Sequence, residues 1–179
     1  MLVIDTIKVP NYIHPLTKEA AIYVASHLRD DDYREITEGY GWHPLQAAIY
    51  PLEDDAVWFE VPNGKTAGMA GVAPDGQVWM LCTPAIHEYP LTFAREAKRF
   101  IDSRKEPVLW NIVDKRNTAH TRLLKFLGFE LGKEFVYGPN NITFIEFSRN
   151  GISSNHGCGN SRPTRNVGNS GIQRPTATS

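Results

Sequence analysis

Polar and apolar positions alternate between two rhythms along the chain, and those rhythms mark out its elements. Residues 4–9 read as a short first strand. Thr17 can cap a helix whose apolar positions Ala21, Ile22, Val24, Ala25 and Leu28 follow helical spacing. The acidic run Asp30-Asp31-Asp32 precedes Tyr33, Ile36 and Tyr40, again at helical spacing, with acids where a helix start favours them. Pro44 suits the first turn of a third, short helix through Leu45, Ala48 and Ile49. A meander follows, with strands predicted over 56–61, 66–73 and 77–82. They are separated by an Asn63-Gly64 turn and a Pro74-Asp75-Gly76 turn, so both pairings should be antiparallel.

The last third alternates helix and strand. Phe93, Ala97, Phe100 and Ile101 mark a long helix that closes before Pro107. Residues 108–113 are β-rich, and 117–127 are helical through Leu123, Leu124 and Leu127, with Gly128 placed as a C-cap. Residues 129–137 and 142–147 flank Gly138-Pro139-Asn140-Asn141 as a final hairpin. The order is β, helices, β-meander, α, β, α, ββ. The two glycines of Gly68-Met69-Ala70-Gly71 lie inside a strand pattern, where they permit close packing rather than cradle a phosphate.

Composition changes this picture at one end. Beyond residue 150 the chain becomes a run of Ser, Asn, Gly, Pro, Thr and Arg, whose sizeable apolar residues are Ile152, Val167 and Ile172. Such a segment buries too little surface to offset its ordering entropy, so 1–150 is expected to be one domain and 151–179 a disordered tail. The 179 residues carry 19 basic and 20 acidic side chains, a net charge of -1 that gives no whole-molecule field to attract nucleic acid or an anionic membrane. The apolar start, Met1 to Ile4, is too short for a signal peptide or a membrane span. Cys82 sits in an apolar strand pattern and Cys158 in the tail, so a disulfide framework is not expected and a reducing compartment fits. The six histidines show no metal-ligand spacing, and neither a nucleophile elbow nor a P-loop sequence occurs.

The segment Val113-Asp114-Lys115-Arg116-Asn117-Thr118-Ala119-His120-Thr121-Arg122-Leu123-Leu124-Lys125-Phe126-Leu127-Gly128-Phe129 resembles the C-terminal motif of the GNAT N-acetyltransferases. Asn117, Leu123, Leu127, Gly128 and Phe129 match its pattern without a gap. The resemblance implies an α/β (α+β) fold with a central, mixed, mostly antiparallel sheet flanked by helices and splayed open to seat acetyl-CoA. The chain departs from that pattern twice. The loop expected to bind the cofactor's pyrophosphate, residues 83–90, has no glycine, loses two amide donors to Pro84 and Pro90, and carries Glu88, which would repel phosphate. Leu124 stands where many of these enzymes have a tyrosine that protonates the leaving thiolate.

A wider resemblance covers the body of the chain. The stretches Arg29-Asp30-Asp31-Asp32-Tyr33-Arg34-Glu35, Leu81-Cys82-Thr83-Pro84, Phe93-Ala94-Arg95-Glu96, Trp110 to Asn117 and Tyr137-Gly138-Pro139 are similar, in order and spacing, to the internal virion proteins of T7-type short-tailed bacteriophages. That resemblance implies a protein of the virion, present in host cytoplasm during assembly, with other virion proteins as partners. The expected function is structural or assembly-related on a GNAT-like fold, without acetyl transfer and without a cofactor. The alternative is an acetyl-CoA-dependent N-acetyltransferase acting on a protein or small amine. Its catalytic candidates are Glu35 as base through water and Tyr89 or Tyr137 as acid. Its cofactor-binding candidates are Thr83, Arg95, Asn117 and His120, with Arg122 expected to face the same cleft as His120. A solvated ion-pair face competes for Arg29, Asp32, Arg34 and Glu35, and the tryptophans Trp42, Trp58, Trp79 and Trp110 are expected to be core anchors, with room for one at a surface facing a partner.

Overall fold

The protein is described here as a computed structural model covering residues 11–151. The strand expected over 4–9 and the tail from 152 onward lie outside those residues. The first described strand, β1 (Ile13–Pro15), was not foreseen, because three residues ending in proline carry too little alternation to register. Thr17 caps α1 (Lys18–Ser26) by accepting from the Ala20 amide. Helix α2 (Asp30–Arg34) runs directly into a π-helical turn at Glu35–Tyr40, which Gly41 ends in the left-handed conformation. Helix α3 (Pro44–Ile49) starts on its proline, as expected, and leads into a 3-10 turn at Tyr50–Glu53.

Strands β2 (Asp55–Glu60), β3 (Thr66–Val72) and β4 (Val78–Cys82) form the anticipated meander, both pairings antiparallel, with β1 added at the outer edge of β2. After a 3-10 turn at Pro84–His87 come α4 (Pro90–Asp102), β5 (Val108–Asp114) and α5 (Thr118–Phe126). The chain then ends in the hairpin β6 (Glu130–Tyr137) and β7 (Ile142–Asn150). The second sheet is ordered β5-β7-β6 and is antiparallel throughout. Gly128 takes the left-handed C-cap conformation foreseen for it.

The two sheets touch through one parallel bridge, Gln77 to Trp110. Just beyond it, the Asn111 side chain donates to the Val78 carbonyl at 2.8 Å and accepts from Gln77 at 3.1 Å. A side chain thus takes the place of the next rung of the ladder, and β4 and β5 separate from there. Helices α1 and α3 cover one face of the first sheet over Met69 and Leu81. Helices α4 and α5 pack with β5–β7 around Ile101, Leu109, Val113, Leu124, Phe129 and Phe147.

Small residues set how closely these layers approach. A side chain at Gly71 would meet the Trp79 ring at 2.5 Å, so the indole lies across the strand at that point. Gly138, in the β6–β7 turn at φ +76°, abuts the main chain of Gly39 in the π-helical turn, and Gly39 in turn lies under the Phe144 ring. The final hairpin therefore supports the turn that carries Glu35 and Tyr40. Gly138→Ala should combine left-handed strain with a clash against the Gly39 carbonyl and cost about 2 kcal/mol or more of folding stability. Chemical denaturation of the variant beside the wild type measures this directly.

Candidate functional site

Between the splayed strands lies a cavity of about 560 Å³ that passes from one face of the sheet to the other. On the side of α4 and α5 it is lined by Phe93, Phe100, His120, Leu124 and Phe129. On the opposite side it meets Glu35, Tyr40, Trp42, Tyr50, Asp54 and Trp79.

The separated strand ends are tied by a buried polar network. The Arg29 guanidinium holds both oxygens of Asp32 at 2.9 Å, and both side chains are nearly inaccessible. Asp32 accepts the Cys82 amide at the end of β4 (2.9 Å), and the Arg29 amide donates to the Cys82 carbonyl. From the far side, Asn117 accepts from Arg29 at 2.9 Å and donates to Asp32 (3.3 Å) and Glu35 (3.2 Å). Its side-chain oxygen also caps α5 through the His120 amide. Arg29 and Asp32 are therefore not a solvated face. Their partners come from positions 82 and 117, and a local reading of charge spacing could not supply them. Arg34, by contrast, pairs with Asp31 near the surface.

This environment sets the protonation of two side chains. Burial and then the charge of Asp32 raise the Glu35 carboxyl to about 8 against the opposing Asn117 hydrogen bond, with Asp114 adding a smaller upward push. Burial lowers His120 to about 4, and its Nδ1 has no partner among the described residues. Near neutral pH the cavity thus carries a largely protonated carboxyl and a neutral imidazole. Burial, with Glu35, Tyr137 and Asp114 nearby, also raises the Tyr40 phenol well above its ordinary value.

Of the residues singled out from sequence, Glu35, Asn117 and His120 come together here. Asn117 is buried, and its side chain is committed to the network. Tyr137 stacks edge-on against Tyr40 and Phe144 behind the cavity wall. Tyr89 forms the N-terminal boundary of α4 and packs with the Phe59 cluster. Thr83 is buried, donating its hydroxyl to the Thr66 carbonyl and accepting from the Ala85 amide. Arg95 and Arg122 are exposed and outside the cavity lining, so Arg122 does not face the cleft as expected. Lys98 pairs with Asp102 on its own helix. Sequence reasoning missed the Trp42, Tyr50, Asp54 and Trp79 grouping. Its one signal was the aromatic density between positions 40 and 58, which had been assigned to the core.

The loop at 83–90 has most of its amides committed. Thr83 N–H donates to Ala67, Ala85 to the Thr83 hydroxyl, Ile86 to the Thr83 carbonyl and Glu88 to Ala85. Pro84 and Pro90 have none to offer. The Glu88 carboxylate is held outward by Lys65 (2.7 Å) and Asn63 (2.8 Å).

Two consequences are measurable. Asn117→Ala removes the shared partner of Arg29, Asp32 and Glu35 and should destabilise the fold by about 3 kcal/mol, read by denaturant titration. The pH profile carries opposed contributions. Glu35 is raised, so its contribution to stability falls as pH climbs from 4.5 towards about 8. His120 is lowered, so stability falls as pH drops from 6.5 towards about 4. The two slopes offset between 4.5 and 6.5, and above that window Glu35 acts alone. Glu35→Gln should therefore flatten the loss of stability in the range 6.5 to about 8, measured as thermal midpoint against pH.

Neither protein-family models nor curated proteins give a match to this sequence. Solved structures do. A GNAT-family acetyltransferase from Bacillus anthracis aligns at TM-score 0.58 with 11% identity, covering 77% of this chain and 93% of its own. The putative acetyltransferase yncA from Salmonella typhimurium, solved with acetyl-CoA, gives 0.58 at 15% identity, over 86% of this chain and 100% of that one. Spermidine N-acetyltransferase from Vibrio cholerae, in complex with CoA and spermine, gives 0.56 at 12% identity, over 77% and 94%. With its helix-flanked antiparallel sheets and the splay between β4 and β5, this chain has the GNAT N-acetyltransferase fold.

Proposed function

We propose that the chain is a binding protein built on the GNAT scaffold, acting in assembly and without acetyl transfer. The observation that carries this reading is the state of the loop at 83–90. An anion site at a helix start needs backbone N–H groups directed at the ligand. Here the amides of Thr83, Ala85, Ile86 and Glu88 are spent on Ala67 and on the loop itself, His87 lies inside the 3-10 turn, and two positions are prolines. Leu124, buried where a thiolate-protonating tyrosine would be needed, points the same way. The body-wide resemblance to internal virion proteins of T7-type phages supports a place in the particle, with other virion proteins as partners and host cytoplasm as the site of assembly.

One observation favours the rival reading, an acetyl-CoA-dependent N-acetyltransferase such as the neighbours solved with CoA or acetyl-CoA. Glu35 stands in the cavity with a carboxyl raised to about 8, suited to proton exchange with an amine near neutrality. Tyr137, near Tyr40, and Tyr89, at the start of α4, remain its acid candidates, and Thr83, Arg95 and Asn117 its cofactor contacts.

Isothermal titration with acetyl-CoA separates the two. The binding-protein reading expects no saturable heat at ligand concentrations of about 1 mM, whereas micromolar affinity, worth about 8 kcal/mol, would overturn it and direct the search to acceptor amines. Copurification tests the assembly role: the chain should travel with particles or assembly intermediates, and its absence from both would remove that role.

A further inference from the structure

The half of the cavity facing α3 has a chemistry that the GNAT fold does not require. Trp42 and Tyr50 meet edge to face with ring centroids 5.6 Å apart. Trp79 lines the same chamber, its ring brought down onto β3 because residue 71 has no side chain. The Trp79 indole N–H donates to one carboxylate oxygen of Asp54 at 2.9 Å. That bond fixes the carboxylate at the edge of the indole, in line with its N–H, and leaves its second oxygen without a partner among the described residues. Tyr40 and Glu35 close the inner end. Tyr50, 58% exposed, stands at the mouth.

An apolar ligand would fit the rings but would leave the unshared oxygen of the half-buried Asp54 carboxylate without a partner. A small inorganic cation would be served poorly by one carboxylate and several indoles. A soft organic cation satisfies both features: ring faces attract it through their quadrupoles, and the carboxylate supplies the counter-charge.

We propose that this chamber binds a methylated ammonium group among the rings of Trp42, Tyr50 and Trp79, with Asp54 as counter-charge. The proposal deepens the reading of the chain as a binding protein and rests on it, since a fully methylated nitrogen cannot be acylated. The group can come from a free small molecule or from a methylated lysine side chain, and its chemistry in the chamber is the same.

The test is titration of the intact chain with choline, followed by tryptophan fluorescence and calorimetry. Its uncharged carbon isostere, 3,3-dimethyl-1-butanol, is titrated in parallel. Saturable binding of choline, with the isostere at least about tenfold weaker, is the expected result. Equal binding of the two, or no saturation by choline at about 10 mM, overturns the proposal. Asp54→Asn keeps an acceptor for the Trp79 indole while removing the charge, and Tyr50→Leu alters an exposed ring that the core does not need. Each should weaken choline about tenfold with the thermal midpoint unchanged, and an unaltered affinity in both variants also overturns it. A trimethyllysine peptide forms a second arm. Tighter binding than choline supports a protein-borne group, and comparable binding supports a free one. Titrations run without acetyl-CoA, so their failure leaves the loop-based argument against transfer standing.

Discussion

Everything between the two sheets depends on the hydrogen bonds that Arg29, Asp32 and Asn117 make across the gap at the end of β4. Parallel strands that diverge leave backbone groups without their ladder partners, and a buried amide without a partner is expensive. Asp32 accepts the orphaned Cys82 amide, the Arg29 amide satisfies the Cys82 carbonyl, and Asn117 fastens both to the start of α5. The sheet can stay open because this network replaces strand pairing with side-chain pairing. Two buried charges joined by paired hydrogen bonds stabilise little by themselves, but removing any one partner strands the others. The splay is therefore held cooperatively, and the cavity follows from it.

The same network governs the electrostatics of the cavity. Asp32 is neutralised locally by Arg29, yet its proximity still raises Glu35, and the shared burial keeps His120 uncharged. The floor of the cleft is consequently polar with little formal charge near neutral pH, while the carboxylate of Asp54 lies towards the mouth beside Trp79. A cationic group entering from the α3 side would meet aromatic faces and one counter-charge before it reached Glu35. Its arrival would also favour ionisation of Glu35, because a nearby positive charge stabilises the carboxylate form.

Local signals made most of the fold legible, and non-local ones hid most of the site. Thr17, Pro44, the Asn63-Gly64 turn and Gly128 each act within a few residues of themselves, and each performed as its chemistry required. Asn117 could be singled out because capping is local, but its three further partners lie 82 to 88 positions away. Arg29 and Asp32 at spacing i, i+3 look like any exposed helix pair until Cys82 and Asn117 enclose them. The π-helical turn at Glu35–Tyr40 has no periodic signature in so short a run, and β1 is shorter than one period of reliable alternation. Trp42, Tyr50 and Trp79 were visible only as hydrophobic mass. Their convergence depends on Gly71 and on the path from α3 into β2.

The contrast between loop and chamber bears on what the fold has kept. Opening a sheet between two parallel strands costs ladder bonds whether or not a cofactor enters, and here that cost is met by residues facing inward from α2 and α5. The loop at 83–90 has most of its amides committed, with Thr83 as the pivot: its amide donates to Ala67, its carbonyl accepts from Ile86, and its hydroxyl accepts from Ala85 while donating to Thr66. A loop stabilised in that way gains rigidity and loses the ability to present donors, since each amide has one proton to give. The side facing α3 shows the opposite pattern: an exposed ring at the mouth, a carboxylate with an unshared oxygen, and an indole held in place by a glycine. Capacity for recognition therefore resides on the side facing α3 rather than at the loop at 83–90, and binding from that side requires nothing of the loop.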